Sequence, residues 1–259
     1  MPLTRILIAL LAFLMVVLPV DAQANTVASI SIAAPKALRS TLNELVNAWK
    51  TSGGDIVTVS YDDSDDQAVE IEMAATTYDL FIVGDSVAIH RVMSNGKGAT
   101  MSPLASTSLV LVASNREKAP TPSVNANLVS LLGTGRLAIC DPQSDAVGGA
   151  SRGVLSESCI WKSLQDHLLI LPDSPAVIRA VQSGDARFGI TLRSDLLHVS
   201  DVHEGSAFTD GTNPEFTYFV IGIVGRQRPE VRRFLAFLHS RESVRAIVSH
   251  GFTAIAQQD

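Results

Sequence analysis

The sequence predicts an α/β protein of two lobes, each a doubly wound sheet, joined by two crossing strands. Three observations carry this. Strand-like and helix-like stretches alternate along most of the chain, the pattern that builds parallel sheets. The run Asp79-Leu80-Phe81-Ile82-Val83 is apolar after its first residue, as a strand must be when helices cover both faces of its sheet. Four stretches read as strand-to-helix turns: Ala33-Ala34-Pro35-Lys36-Ala37-Leu38, Asp62-Asp63-Ser64-Asp65, Ala146-Val147-Gly148-Gly149 and Asp173-Ser174-Pro175. Such turns lie at the carboxyl ends of strands, where open α/β sheets collect their ligands.

The elements follow in order. Ser29 to Ala34 alternates into a strand. Leu38, Leu42, Leu45, Val46 and Trp49 then recur at helical spacing, and Gly53-Gly54 ends that helix. Ile56 to Tyr61 is β-branched and extended. Ala68, Ile71 and Ala75 mark a second helix, and Asp85-Ser86 caps a third that runs through Met93. A strand from Ser108 to Ala113 leads into the proline-containing segment Lys118 to Pro122, read as passage into the second lobe. That lobe holds a helix at Asn127 to Leu132, a strand at Arg136 to Cys140 and the helix start at Gly148-Gly149. It continues with a strand at His167 to Leu171, a helix from Pro175 to Gln182 stopped by Gly184, and a strand at Phe188 to Leu192. Thr217 to Val224 is a strand that returns the chain to the first lobe. Helices opening at Pro229 and running from Glu242 to His250 close it. The expected division is 25–106 with 215–259 as the first lobe and 107–214 as the second, with crossovers near Thr107 and Thr217.

The 259 residues are long enough for two cores of this size. With 46% hydrophobic and 18% charged residues, a pI near 5.5 and a formal charge of -6, the chain is neither disordered nor a nucleic-acid binder, which would show a basic stripe. Met1 to Arg5 is a short positive start, Ile6 to Val20 an apolar run, and Asp21-Ala22-Gln23-Ala24 offers small residues before a cut at Asn25. This predicts a cleaved secretory signal over 1–24 and a soluble periplasmic product. A retained anchor is the alternative, although the run is shorter than a membrane span needs. The two cysteines, Cys140 and Cys159, either form a disulfide in an oxidising compartment or remain two buried thiols, and their spacing fits no metal motif.

The order of these strings resembles one known family, the periplasmic molybdate-binding proteins of ABC importers. Ala33-Ala34, Asp79-Leu80-Phe81-Ile82, Leu109-Val110-Leu111-Val112-Ala113 and Gly135-Arg136-Leu137-Ala138 carry the likeness. So do Asp141-Pro142, Phe188-Gly189-Ile190, Ser194-Asp195 and His250-Gly251-Phe252. The resemblance spans nearly all of the chain after residue 24. It implies the periplasmic binding protein fold with a two-strand hinge. It also implies a small oxyanion held between the lobes at helix N-termini, an ABC permease as partner, a monomer, no cofactor, and no enzymatic activity. Helix starts suit such a ligand because their unpaired N–H groups and positive dipole ends hold a dianion without a full counter-charge.

Carried over by position, the family's two serine contacts fall at Ala37, beside Lys36, and at Ser64. Its backbone donors fall at Val147 and Ser174, and its tyrosine falls at Leu192. The expected contacts are therefore Lys36, Ala37, Ser64, Val147, Ser174 and Leu192. Two hydroxyls are missing, and Ser64 is embedded among Asp62, Asp63, Asp65 and Asp66, whose carboxylates would repel a dianion if they faced it. A cationic or metal-bound ligand in the same fold is thus an alternative, as is a periplasmic sensor partner. Each residue also has a plainer reading. The aspartates would be caps on a solvated face, Ser64 and Ser174 N-caps, and Lys36 a surface cation. Gly148-Gly149 would be a tight turn, and Arg193 would reach the cleft or pair with Asp195 or another acid. The six histidines are scattered, with none paired at helical spacing. A hydrolase is the distant alternative: the chain has no Gly-x-Ser-x-Gly elbow, phosphate loop or His-Glu-x-x-His motif.

Overall fold

The computed structural model describes residues 29–116, 124–197, 199–208 and 214–255. The expected signal and its cleavage point, the passage at Lys118 to Pro122, and His198 lie outside these residues. The first half opens with β1 (Ser29–Pro35). One 3-10 turn at Lys36–Leu38 follows, then α1 (Arg39–Thr51), β2 (Ile56–Asp62), α2 (Ser64–Glu72), β3 (Leu80–Val83) and α3 (Ser86–Ser94). β1 pairs in parallel with both β2 and β3, as βαβ crossovers require. All four residues of β3 are buried, and they alternate between two cores. Leu80 and Ile82 pack with Leu42, Leu45 and Trp49, while Phe81 and Val83 pack with Ala68, Ile71, Ala88 and Val92 on the opposite face. Full burial of each large apolar side chain contributes about 1.5–3 kcal/mol.

The chain then enters β4 (Gly98–Ser114), a strand of 17 residues. The second half adds α4 (Val124–Leu132), β5 (Leu137–Cys140), α5 (Ala146–Glu157), the short α6 (Trp161–Leu164), β6 (Leu168–Leu171), α7 (Ser174–Ser183), β7 (Phe188–Leu192) and β8 (Val202–Ala207). The return runs through β9 (Glu215–Ile223), α8 (Pro229–Leu238), α9 (Arg241–Ser249) and β10 (Thr253–Ala254). Among the described residues the strands follow the order β2-β1-β3-β9-β4-β7-β5-β6, with β8 and β10 also on β4.

β4 is what joins the halves. Its first part pairs antiparallel with β9 as far as Ser108↔Glu215, and from Leu109↔Leu192 it pairs with β7 instead. Leu109, Leu111, Val112 and Ala113 belong to a separate core with β5, α5, α7 and β7. One hydrogen-bonded succession of strands thus serves cores on both sides of a change of partner. β4 is ten residues longer at its start than the expected Ser108 to Ala113. The early part carries Gly98 and Pro103, weak strand formers that the antiparallel β9 recruits, with register shifts at Gly98/Thr100 and Pro103/Ala105. α4 begins three residues before the expected Asn127. Gly184, at φ +86°, ends α7 in the left-handed conformation that glycine adopts without a Cβ clash.

The disulfide left open by the sequence does not form. Cys140 is buried at the end of β5 and Cys159 is exposed just past the end of α5. The 12 residues of α5 lie between them in sequence, and a helix of that length spans about 18 Å. The alternative of two buried thiols also fails, because Cys159 faces solvent.

Candidate functional site

The carboxyl ends of the strands from both halves meet around one cleft of about 370 Å³. Its walls are Pro35 at the end of β1, Ser64 at the start of α2, Gly84, Asp85 and Ser86 at the start of α3, Ala146 and Val147 at the start of α5, Leu192 at the end of β7, and Phe216 and Tyr218 on β9. Among the described residues no lysine, arginine or histidine lines it. Three of the six contacts expected from sequence, Ser64, Val147 and Leu192, are wall residues. Lys36 and Ala37 sit one and two positions beyond Pro35 and are exposed. Ser174 lies behind the wall, its Oγ 3.8 Å from Cys140 Sγ.

Aspartates cap the helices around the cleft. Asp63 accepts from Asp65 N, Asp85 from Ala88 N, Asp145 from Gly148 N and Asp173 from Ala176 N. The N-caps of α2 and α7 are therefore Asp63 and Asp173, not Ser64 and Ser174, which are the first helical residues. The carboxylate wins because its charge complements the helix dipole as well as taking an orphan N–H. Helix geometry leaves the N–H groups of the first residues, such as Ala146 and Val147, without an acceptor inside the helix. Those residues face the cleft.

The acidic turn points elsewhere. Asp62 forms an exposed ion pair with Lys36 at 3.0 Å and also accepts from Asp63 N. The Lys36 hydrogen bond, with the Asp63 N–H behind it, holds the Asp62 carboxyl below its usual range. Asp63 caps its own helix, and Asp65 and Asp66 are exposed. Arg193 is also turned away: its Nη2 lies 2.7 Å from Glu204, so it pairs with β8 rather than with Asp195 or the cleft.

Gly148 has a packing reason. A Cβ there would sit 2.5 Å from the carbonyl oxygens of both Cys140 and Asp141, so only glycine lets α5 start this close to β5. At Gly149 the nearest such atom is 3.8 Å away. The close approach at Gly148 is helix to strand end, and the pair lies within α5 rather than in a turn.

Three polar residues of the wall, Asp85, Ser86 and Tyr218, were not among the expected contacts. Asp85 and Ser86 are visible in the sequence only as a helix start. Tyr218 stands in a strand whose alternation does not reveal which face meets the cleft. It brings a phenol-bearing side chain to the same cleft as Leu192, where the carried-over tyrosine is lost. Its ring packs edge-on against Phe252 at 5.9 Å. Burial, with the nearby Asp195 charge, pushes its pKa up to about 12, so the hydroxyl keeps its proton and remains a donor.

Molybdate-binding protein ModA of Escherichia coli K12 is 26% identical over 228 residues, covering 86% of this chain and 88% of that relative. A substrate binding domain from Clostridium difficile superposes with a TM-score of 0.79 at 21% identity, covering 88% of this chain and 99% of the other. The periplasmic molybdate-binding protein of Azotobacter vinelandii superposes with a TM-score of 0.66 at 16% identity, covering 88% and 100%. Both structures share the fold, which is the two-lobed α/β architecture described above. The matching family model runs over residues 30–253, and the chain belongs to that family, the bacterial extracellular solute-binding proteins.

Proposed function

We propose that the protein is exported, holds a small tetrahedral oxyanion of the molybdate or tungstate kind in this cleft, and passes it to an ABC permease. The observation that carries this is the make-up of the cleft. First-turn residues of α2, α3 and α5, together with the hydroxyl-bearing Ser64, Ser86 and Tyr218, line one cavity that, among the described residues, has no cationic side chain. Neutral donors and helix dipoles aimed at one point suit a compact dianion that must be bound and later released. A cationic ligand would meet a single wall carboxylate, Asp85, whose Oδ1 already accepts from Ala88 N at 2.8 Å. The likeness to a molybdate-binding relative favours the same class of ligand.

In this reading residues 25–106 and 215–259 form one lobe, 107–214 form the other, and β4 and β9 act as the hinge. Ligand contacts come from Ser64 and Ser86 on one side and from Val147 on the other, with Tyr218 at the hinge strand. The chain acts as a monomeric carrier with no catalytic step. Isothermal titration of the purified protein with molybdate, tungstate, sulfate and phosphate tests this. Saturable one-to-one binding of molybdate or tungstate is expected, and no binding of any of the four overturns it.

A further inference from the structure

The string Gly135-Arg136-Leu137-Ala138 carries part of the family likeness and has no part in the cleft. It leads into β5 at the end of that strand remote from the cleft. A second cavity, of about 360 Å³, opens there and shares no wall residue with the first. Ser114 at the end of β4, Arg116 just beyond it, Thr134 and Arg136 ahead of β5, and Arg187 ahead of β7 all line it. β5 and β7, of four and five residues, run from this cavity to the cleft. Strands of that length separate the two spaces by about 13–16 Å.

The chemistry is the reverse of the cleft's. Three arginines stand around a single carboxylate, that of Asp185, in a chain whose formal charge is -6. That carboxylate already accepts from the Ser183 hydroxyl at 2.8 Å. Backbone groups hold the arginines in place. Arg136 Nε donates to the Asp185 carbonyl at 3.2 Å, which leaves both Nη groups of Arg136 unpaired among the described residues. The Arg187 N–H donates to the Arg136 carbonyl at 2.9 Å, and its Nη1 lies 3.5 Å from the Leu132 carbonyl oxygen. Gly135 makes room for that side chain, because an added Cβ would lie 2.9 Å from Arg187 Cβ. Arg116 N donates to Ser114 Oγ at 3.4 Å, and the Arg116 guanidinium pairs with nothing among the described residues.

We propose that this cavity is a second anion site, for a small molecule carrying two phosphate groups. A guanidinium presents a planar fork that matches phosphate oxygens in pairs. Each phosphate has enough oxygens to meet one such fork and a hydroxyl together, and Ser114 and Thr134 bring hydroxyl-bearing side chains to the same walls. Arginines from β4's end and from the approaches to β5 and β7 give a diphosphate more than one fork to bridge. The volume lies within the range of small-molecule pockets rather than of a single ion. Because this site works through full charges that water reaches, its affinity falls with added salt. The inference stands apart from the oxyanion reading of the cleft.

Isothermal titration with pyrophosphate, run on protein saturated with molybdate, tests it. Saturable one-to-one binding is expected, weakened as NaCl rises from about 0.05 M to about 0.5 M. Inorganic phosphate, which reaches one fork, should bind about tenfold less tightly. Arg136→Gln and Arg116→Gln should each weaken pyrophosphate about tenfold and leave molybdate affinity unchanged, while Ser64→Ala should leave pyrophosphate unchanged. If Arg136→Gln does not fold, Arg116→Gln, whose guanidinium has no partner among the described residues, carries the test. Absence of pyrophosphate binding, equal affinity for phosphate, unchanged affinity in both arginine variants, or loss in Ser64→Ala overturns the inference. Should molybdate fail to bind, the same variants read the site without it, so the two readings fail separately.

Discussion

At the scale of single residues, the side chains that matter most divide into those that face the cleft and those that hold the frame. Ser64 and Tyr218, hydroxyl-bearing side chains from different elements, line the same cleft. A hydrogen bond to a charged partner contributes about 1.5–3 kcal/mol, so Ser64→Ala and Tyr218→Phe should each weaken oxyanion binding about tenfold or more with little change in Tm. Titration calorimetry with molybdate reads both, and unchanged affinity in both variants would remove these hydroxyls from the site. Asp79 is of the second kind. It is 2% exposed, accepts from Ser31 N at 2.9 Å and pairs with Arg228 at 2.8 Å. Arg228 also donates to the Ser29 carbonyl, so one guanidinium pins the first strand and the third to the start of α8. Removing Asp79 orphans the Ser31 N–H and takes one carboxylate from Arg228, which keeps Glu230 at 3.1 Å and the Ser29 carbonyl. Asp79→Ala should therefore cost about 2–4 kcal/mol, below the upper range for a fully buried pair because Arg228 keeps some water. Urea unfolding measures that cost, and affinity in the folded fraction should stay at the wild-type value.

At the scale of elements, the sequence was legible wherever one local pattern decided the outcome. β3 reads as a covered strand because four consecutive residues are apolar, and α7 reads as a helix because Pro175 opens it and Gly184 closes it. The first part of β4 was not legible, because its pairing with β9 is antiparallel and remote in sequence, and Pro103 argues against a strand. β8, Val202–Ala207, went unseen for the same kind of reason: the polar stretch Val202-His203-Glu204-Gly205-Ser206 becomes a strand by pairing with β4. At the cleft, Ser64 and Val147 were legible as helix starts, whereas Tyr218 required knowing which face of β9 turns inward. Gly148 shows what an element boundary can hide. Its role is to let α5 begin against the Cys140 and Asp141 carbonyls, which places Ala146 and Val147 at the cleft. Gly148→Ala must push the helix outward. The expected cost is about 1–3 kcal/mol, with loss of anion affinity because the first-turn donors move. Gly149→Ala, which meets nothing nearer than 3.8 Å, is the control and should bind normally.

At the scale of the whole molecule, the walls of the cleft come from separate cores, and the strands that cross between them are β4 and β9. At the crossing, the Ser106 hydroxyl donates to Glu215, and Ser194 N donates to Thr107 Oγ1 at 3.3 Å. Behind it, Gly251 at φ +76° comes against the backbone of Ser194, where an added Cβ would lie 3.2 Å from the Ser194 Cα. These contacts keep the halves in register while leaving the cleft side to be closed by whatever sits in it. In the proposed reading, a small anion that touches Ser64 and Val147 at once draws the two walls together, because both contacts are made only in a closed arrangement. Two consequences follow together. Saturating molybdate should reduce the radius of gyration measured by solution scattering. At a free concentration about one hundred times Kd it should also stabilise the fold by about 2.7 kcal/mol, which for a chain of this size raises Tm by about 5–10 °C. Substitutions on either wall, Ser64→Ala or Gly148→Ala, should diminish both effects in step. Binding that raised Tm without compaction would mean that the anion rests on one half alone, and the bridging geometry would be wrong.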